Sequence, residues 1–390
     1  MRIEYSDRLK KLPPYLFVEI DRRKKEALRE GRDIIDFGIG DPDRPTPSCI
    51  VESMKSAVSE AKMHRYPLDE GLTALREEIA LWYKDRFGVR LNPETEILPL
   101  IGSKEGIAHI PLAFMNDGDY ALIPDPCYPP YRSGVIFAGG IPHEMALLKE
   151  NAYLPDLGGI DRSIAAKSKI MFLNYPNNPT SAVADINFFK DAVAFAEENN
   201  IIICHDAAYS EIAFDGFKPA SFLSTPGAMD VGVEFHSLSK TYNMTGWRIG
   251  WVSGNADVIK GLKKVKSNID SGVFGAVQLA AIAAMKSDPS LMEETLKLYH
   301  SRRDILVEGL DDMGWSLEKP KATFYVWADV PSGHTSMEFS KMLLDKCDIV
   351  ATPGVGFGPN GEGYIRFALT VDERRIGTAL ERIKALHDGR

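Results

Sequence analysis

The run Ser237-Leu-Ser-Lys240-Thr-Tyr-Asn-Met-Thr-Gly-Trp-Arg248-Ile-Gly250 gathers two serine hydroxyls, an amine and a guanidinium in one short stretch. Such a set makes poor core and a good cradle for an anion, a phosphate above all. Two readings of Lys240 follow from the run by itself. It is either a second phosphate ligand or solvated surface charge, or an amine that nearby cations push towards its neutral form and that condenses with an aldehyde as a Schiff-base lysine.

Other residues of chemical interest are spread along the chain. Ser103 and Lys104 follow Gly102 in a turn between an expected strand, Ile97–Ile101, and an expected helix, Ile107–Met115, whose free N–H groups and dipole favour an anion. Asn178 sits in Pro176-Asn-Asn-Pro179, after the apolar run Lys169–Tyr175. Asn before Pro is ordinary turn chemistry, and the carboxyl end of a parallel strand is also where open α/β sheets bind ligands.

Asp206 ends the β-branched run Ile201–Asp206, so its carboxylate needs a partner: backbone, a helix cap or a protonated aromatic nitrogen. Tyr209 follows three residues later, and His205 reads as a packing residue or a support behind the site rather than a directly catalytic one. Tyr128 and Tyr131 share a proline-rich loop, either as packed rings or with one stacking on a ligand. Gly38-Ile-Gly40 is followed by Asp-Pro without a third glycine, which disfavours a dinucleotide loop and leaves close backbone approach to a ligand. Arg366, in the expected strand Gly363–Leu369, is a surface arginine or a planar fork for a carboxylate.

The elements that must position these residues alternate strand and helix from about residue 97 to 255. That order predicts a mostly parallel sheet with helices on both faces. A helix-rich stretch over 277–310 and strands restarting at Ala322–Trp327 predict a smaller α+β unit. The expected division is a large domain over 43–280 and a small domain built from 1–42 and 281–390. The chain is long enough for more than one core at 390 residues.

With 46 basic against 55 acidic residues, the net charge of −9 disfavours nonspecific binding to nucleic acid or to an anionic membrane. The phosphate site must therefore be local. Four scattered cysteines suggest neither disulfides nor a metal site. The charged N-terminus lacks a signal-peptide core, and no run reaches membrane-spanning length, so a cytoplasmic location is expected.

The ordered set Gly40, Tyr66, Ser103-Lys104, Tyr128, Asn178, Asp206, Tyr209, Ser237-x-Ser239-Lys240, Arg248 and Arg366 resembles the class I/II aminotransferases over essentially the whole chain. The resemblance implies the α/β fold of the fold-type I transferases, pyridoxal 5'-phosphate as cofactor, and amino-acid and 2-oxo-acid substrates. It also implies a homodimer with shared active sites, without metal. By the same resemblance Lys240 carries the cofactor and shuttles the proton. Asp206 pairs with its ring nitrogen, Tyr209 and Asn178 contact its ring hydroxyl, and Tyr128 stacks. Ser103, Lys104, Ser237, Ser239, Arg248 and a Tyr66 contributed by the second copy hold phosphate, and Arg366 clamps the substrate α-carboxylate.

Finer segments, such as Gly38-Ile-Gly-Asp-Pro-Asp-Arg-Pro-Thr-Pro and Asn268-Ile-Asp-Ser-Gly-Val-Phe274, resemble the LL-diaminopimelate aminotransferases. That likeness implies substrate contacts from Tyr15, Gly40, Lys104, Tyr128, Asn178, Asn268 and Arg366. It also implies exchange of an amino group between LL-2,6-diaminopimelate and 2-oxoglutarate, on the route to lysine. Asp69 and Glu70 are candidates for the far ammonium or solvated helix-capping acids. Ser181, where glycine is usual, together with Cys127, Pro130 and the Pro67-Leu-Asp-Glu70 run, departs from the family pattern near the pocket. Alternatives are an aminotransferase for alanine, glutamate or aromatic substrates, a pyridoxal β-lyase, and a regulatory protein on the same fold.

Overall fold

The computed structural model describes residues 1, 3–12 and 16–388, and the side chains of 16–19 and 388 fall outside that description. Tyr15 lies outside the described residues, and so does its expected substrate contact.

Seven strands form the central sheet: β1 (Ile97–Leu100), β2 (Tyr120–Asp125), β3 (Ile141–Ala146), β4 (Ser168–Asn174), β5 (Ile202–Asp206), β6 (Gly232–Ser237) and β7 (Gly250–Gly254). Their order is β1-β7-β6-β5-β4-β2-β3. All neighbours pair in parallel except β7, which runs antiparallel to both β1 and β6. The sheet is thus mostly parallel, as expected, with one reversed strand.

Side-chain alternation along each strand divides the apolar residues between two cores. On β4, Met171 and Leu173 belong to one cluster with Tyr83 and Phe189. Ile170 and Phe172 belong to another with Ile107, Tyr131 and Leu262. A strand covered on both faces must be apolar at successive positions, which is why Ile-Met-Phe-Leu reads as a continuous run.

Because β4, β5 and β6 are parallel, their carboxyl ends emerge along one edge of the sheet, carrying Asn174, Asp206 and Ser237. Asn174 and Asp206 are register partners, and the Asn174 amide donates to the Asp206 carbonyl at 2.7 Å. The helix expected to begin at Ile107 begins earlier, at Ser103, and runs to Phe114. Gly102 precedes it with φ +75°, a left-handed conformation that glycine adopts cheaply. Ser103 and Lys104 therefore sit in the first helical turn rather than in a loop. Tyr131 likewise lies inside a helix, Pro130–Phe137, and is fully buried.

A second sheet comprises β8 (Tyr325–Asp329), β9 (Thr352–Pro353) and β10 (Tyr364–Ala368), antiparallel in the order β9-β10-β8. Its core joins Val326, Ile365 and Phe367 to Leu306, Leu343 and Ile376 of the helices Ser290–Asp311, Ser336–Cys347 and Glu373–Asp388. Near the N-terminus, Ile35–Asp36 pairs in parallel with Ile349–Val350. This pairing carries the following residues, Gly38–Gly40, towards the carboxyl edge of the central sheet. No helix among the described residues is long and apolar enough to cross a membrane.

Candidate active site

A cavity of about 610 Å³ lies between the carboxyl edge of the central sheet and the second sheet. Twelve of the residues singled out in the sequence line it: Gly40, Ser103, Lys104, Tyr128, Asn178, Asp206, Tyr209, Ser237, Ser239, Lys240, Arg248 and Arg366.

Lys240 follows β6 in a single helical turn, Leu238–Thr241, capped by Ser237, whose hydroxyl accepts from the Ser239 N–H. Its Nζ donates to the Gly40 carbonyl at 2.8 Å and lies 5.6 Å from the centre of the Phe324 ring. Burial lowers the amine from 10.5 to about 8; the Asp41 carboxylate opposes this, while the Arg366 and Arg248 guanidiniums reinforce it. At pH 7 roughly a tenth of the amine is therefore uncharged and nucleophilic, against less than about a thousandth of a solvated lysine.

Across the cavity Asp206 is 5% exposed. Its Oδ2 accepts from the Tyr131 hydroxyl at 2.8 Å and its Oδ1 from the Ala208 N–H at 3.3 Å. Burial pushes the carboxyl up from its ordinary range, and those two bonds act in the opposite sense. A carboxylate desolvated in this way gains most from a cationic N–H partner. Tyr131 is held in turn by Phe172, stacked at 5.0 Å.

The anion end is built from the Ser103–Phe114 helix start, Ser237, Ser239 and Arg248. Arg248 itself occupies a left-handed conformation, φ +55°, and its Nη1 donates to the Thr245 carbonyl at 2.9 Å. A Cβ on Gly102 would meet the Arg248 Nη2 at 2.5 Å, so the missing side chain is what admits the guanidinium. Behind this turn Glu105 accepts from the Ile101 N–H at 2.6 Å and pairs with the fully buried Lys266 at 3.0 Å. The first helical turn is thereby fixed before any anion binds.

Arg366, 4% exposed, donates through Nη1 to the Asn178 side-chain oxygen at 2.7 Å and through Nη2 to the Gly38 carbonyl at 2.8 Å. Its guanidinium lies between the Tyr325 and Phe357 rings, at 4.2 and 4.7 Å from their centres. This rules out the surface-arginine reading: the fork is buried, oriented and aimed at the cavity. Tyr209 points its hydroxyl to that of Tyr325 at 3.0 Å. Tyr128 lines the cavity edge-on to Tyr131, at 5.8 Å.

Tyr66, expected to act in a second copy's site, is on this chain's surface, 93% exposed, and does not line this chain's cavity. Asn268 ends the helix Ala256–Ile269, exposed, with its amide donating to the Lys264 carbonyl. Neither Asp69 nor Glu70 reaches the cavity, and Glu70 pairs with Lys263 at 3.2 Å.

Three residues escaped sequence reasoning. Tyr131 shares its loop with Tyr128 and carries no assigned role, Tyr325 falls within the expected strand Ala322–Trp327, and Glu234 lies inside a strand, Gly232–Ser237. Glu234 is fully buried and accepts from Tyr83, Ser221 and the Phe222 N–H. It also bonds His205 Nδ1 at 3.0 Å and His236 Nε2 at 2.9 Å. Burial works to raise its carboxyl, and the two histidines outweigh that, holding it well below the usual range. The network joins the strand position before Asp206 to that before Ser237. A carboxylate in an otherwise apolar strand was the available signal.

Residues 32–383 match the family described as aminotransferase class I and II. A protein named LL-diaminopimelate aminotransferase from Syntrophobacter fumaroxidans is 55% identical, with 98% of each chain covered. LL-diaminopimelate aminotransferase 2 of Trichormus variabilis is 53% identical over 98% of each chain. Among solved structures, substrate-bound BacF from Bacillus subtilis superposes with a TM-score of 0.95 at 42% identity, covering 99% of this chain and 98% of that one. A Thermus thermophilus aspartate aminotransferase mutant gives 0.92 at 27% identity, covering 99% and 100%.

Proposed function

From the premise that the chain belongs to the class I and II aminotransferases, we propose that it exchanges an amino group between LL-2,6-diaminopimelate and 2-oxoglutarate, with pyridoxal 5'-phosphate as cofactor. The observation that carries the reaction class is the convergence of Lys240, Asp206 and Arg366 on one cavity. Near-full-length kinship with proteins of that name narrows the substrate.

The residues present fit the cofactor. Ser103, Ser237, Ser239 and Arg248, at the helix start that Gly102 opens to the Arg248 guanidinium, suit a phosphate. The buried Asp206 suits a protonated ring nitrogen, and the Tyr209 hydroxyl suits the ring oxygen. Bound there, the cofactor supplies an aldehyde that takes up amino groups and a ring that draws electrons from the carbon losing its proton.

The chain's own residues supply the rest. Lys240, lowered to about 8 by burial, takes the proton from the substrate α-carbon at its Nζ and returns it to the accepting carbon. Asp206, oriented by its Tyr131 and Ala208 bonds, would hold a proton on the ring nitrogen. Arg366 binds the α-carboxylate with its two η nitrogens, exchanging its bond to the Gly38 carbonyl for one to the substrate. Its cationic charge also helps to keep Lys240 unprotonated.

We extend the proposal to assembly and location. Tyr66, Leu68, Ile269 and Phe274 form an exposed, largely apolar face, with Gly272 pressed against the Leu68 carbonyl. A second copy covering this face would bring each Tyr66 to the other's phosphate end, giving a homodimer in the cytoplasm.

The test is glutamate formation from LL-diaminopimelate and 2-oxoglutarate by the purified, cofactor-loaded protein, with meso-diaminopimelate, lysine, aspartate and alanine as competitors. A preference for the LL isomer is expected. Turnover of the competitors in its place would keep the reaction class and discard the substrate.

A further inference from the structure

Tyr325 belongs to none of the roles so far assigned, yet it touches Arg366, Tyr209 and Gly40. It stands on β8, 2% exposed, opposite Ala368 in the antiparallel pair with β10. Residues two apart on a strand share a face, so Tyr325 and Trp327 face the same way as Arg366 and Ala368. The Tyr325 ring is thereby set diagonally beside Arg366, whose guanidinium lies over it at 4.2 Å. Its hydroxyl is 3.0 Å from that of Tyr209. That hydroxyl also lies hard against Gly40, where a Cβ would come within 2.0 Å of the oxygen. Gly40 in turn supplies the carbonyl that Lys240 grips.

The backbone around this ring is held at a cost. Ser181 and Thr323 both have left-handed φ, +62° and +67°, conformations that a β-branched threonine rarely adopts. Their hydroxyls bond to each other at 2.7 Å. Ser181 Oγ donates to the Tyr325 carbonyl at 2.8 Å, and Thr323 Oγ1 accepts from the Tyr325 N–H at 3.1 Å. The Ser181 side chain does something a glycine there could not, tying the Asn178 loop to the main chain of Tyr325. Two strained residues converging on one backbone unit mark a position that the surrounding structure over-determines.

Resting on the function proposed above, we infer that Tyr325 is a positioning residue with two separable parts. Its hydroxyl orients and polarises the Tyr209 hydroxyl, and its ring sets the height of Arg366 over the cavity. Of two phenols 3.0 Å apart, one donates to the other. With Tyr325 as donor, the Tyr209 proton is directed to an acceptor in the cavity, the ring oxygen of the cofactor, and a donor that is itself a hydrogen-bond acceptor donates more strongly. The ring acts independently, through the face it presents to the guanidinium.

The experiment compares Tyr325→Phe with Tyr325→Leu in the pyridoxal-phosphate-loaded enzyme. It reads the pH at which the visible absorption of the bound cofactor changes, and KM for amino acid and 2-oxo acid. Tyr325→Phe keeps the ring and weakens the hydrogen bond to the cofactor's ring oxygen. Its spectral transition should move up by about half a pH unit, with both KM values staying within roughly twofold. Tyr325→Leu loses both parts, so the same spectral shift should be joined by a rise of roughly fivefold in both KM values.

An unmoved transition in Tyr325→Phe overturns the role of the hydroxyl, and equal KM changes in the two variants overturn that of the ring. A folding defect would be seen in the leucine variant and would leave the phenylalanine spectrum as the deciding reading. Wild-type protein that takes up no pyridoxal phosphate overturns the function beneath the inference, and is told apart by the absence of any visible band.

Discussion

Replacing Lys240 with methionine should stabilise the cofactor-free protein, and by an amount that depends on pH. Folding lowers the amine from 10.5 to about 8, chiefly by burial. The native state thus binds fewer protons than the unfolded state between those values, so wild-type stability rises with pH across that window. Below about pH 7 the ammonium is charged in both states and the full cost applies. At about 1.4 kcal/mol per tenfold, the gap between 10.5 and about 8 amounts to about 3 kcal/mol.

By pH 9 the cost should fall to about 2 kcal/mol, and it should vanish above the unfolded value. The lost bond to the Gly40 carbonyl, worth about 1 kcal/mol, offsets part of the gain and is the same at each pH. Urea unfolding of both proteins at pH 7 and pH 9 isolates the amine. The advantage of Lys240→Met should shrink by about 1 kcal/mol between the two. An advantage that is constant or grows with pH would show that the amine is not held below its ordinary value, and would remove the physical basis for its action as a base at neutral pH.

Arg366→Ala should raise KM for both substrates by roughly a hundredfold with a smaller loss of kcat, because a buried charged partner of the carboxylate is removed; an unchanged KM in steady-state assays would take it out of that role. Glu234→Gln should cost about 3–5 kcal/mol in chemical unfolding, since His205 and His236 lose their carboxylate. Because Glu234 is held below 4.5 in the fold, that gap should be present at neutral pH and narrow as the pH falls below about 4.5. Gly102→Ala should displace Arg248 and strain a left-handed position. Retention of pyridoxal phosphate through gel filtration should fall more than the melting temperature does.

The parts of the site that were legible in the sequence are those where chemistry is at odds with burial. Lys240 just after two serines, Asp206 at the end of an apolar strand and Arg366 in another are residues a core would not hold without reason, and all three line the cavity. The parallel strands were legible because a strand covered on both faces is apolar at every position. The reversed strand β7 was not, since Gly-Trp-Val-Ser-Gly reads alike in either direction. The early start of the Ser103–Phe114 helix was hidden by Gly106, which looks like a turn residue and is in fact packed against Leu100 and Phe235. Tyr325 and Tyr131 were missed because an aromatic in an apolar run has an ordinary explanation, and only tertiary placement shows where its hydroxyl points. Tyr66 and Asn268 lie away from this chain's cavity, on surface that a single sequence describes no better than a single chain does.

The short glycine segment deserves to be seen as a resting place. Lys240 holds the carbonyl of Gly40 and Arg366 that of Gly38, so the amine and the fork are each satisfied by main-chain oxygens of one small stretch. Neither has to wait bare in a desolvated cavity. A substrate arriving here trades one set of oxygens for another instead of rescuing stranded groups, and selectivity then depends on how much better its carboxylate is than a peptide carbonyl. Because the stretch is continuous with Ile35–Asp36, which pairs with Ile349–Val350 just ahead of β9, any movement of that pair changes the terms of the exchange for both groups together.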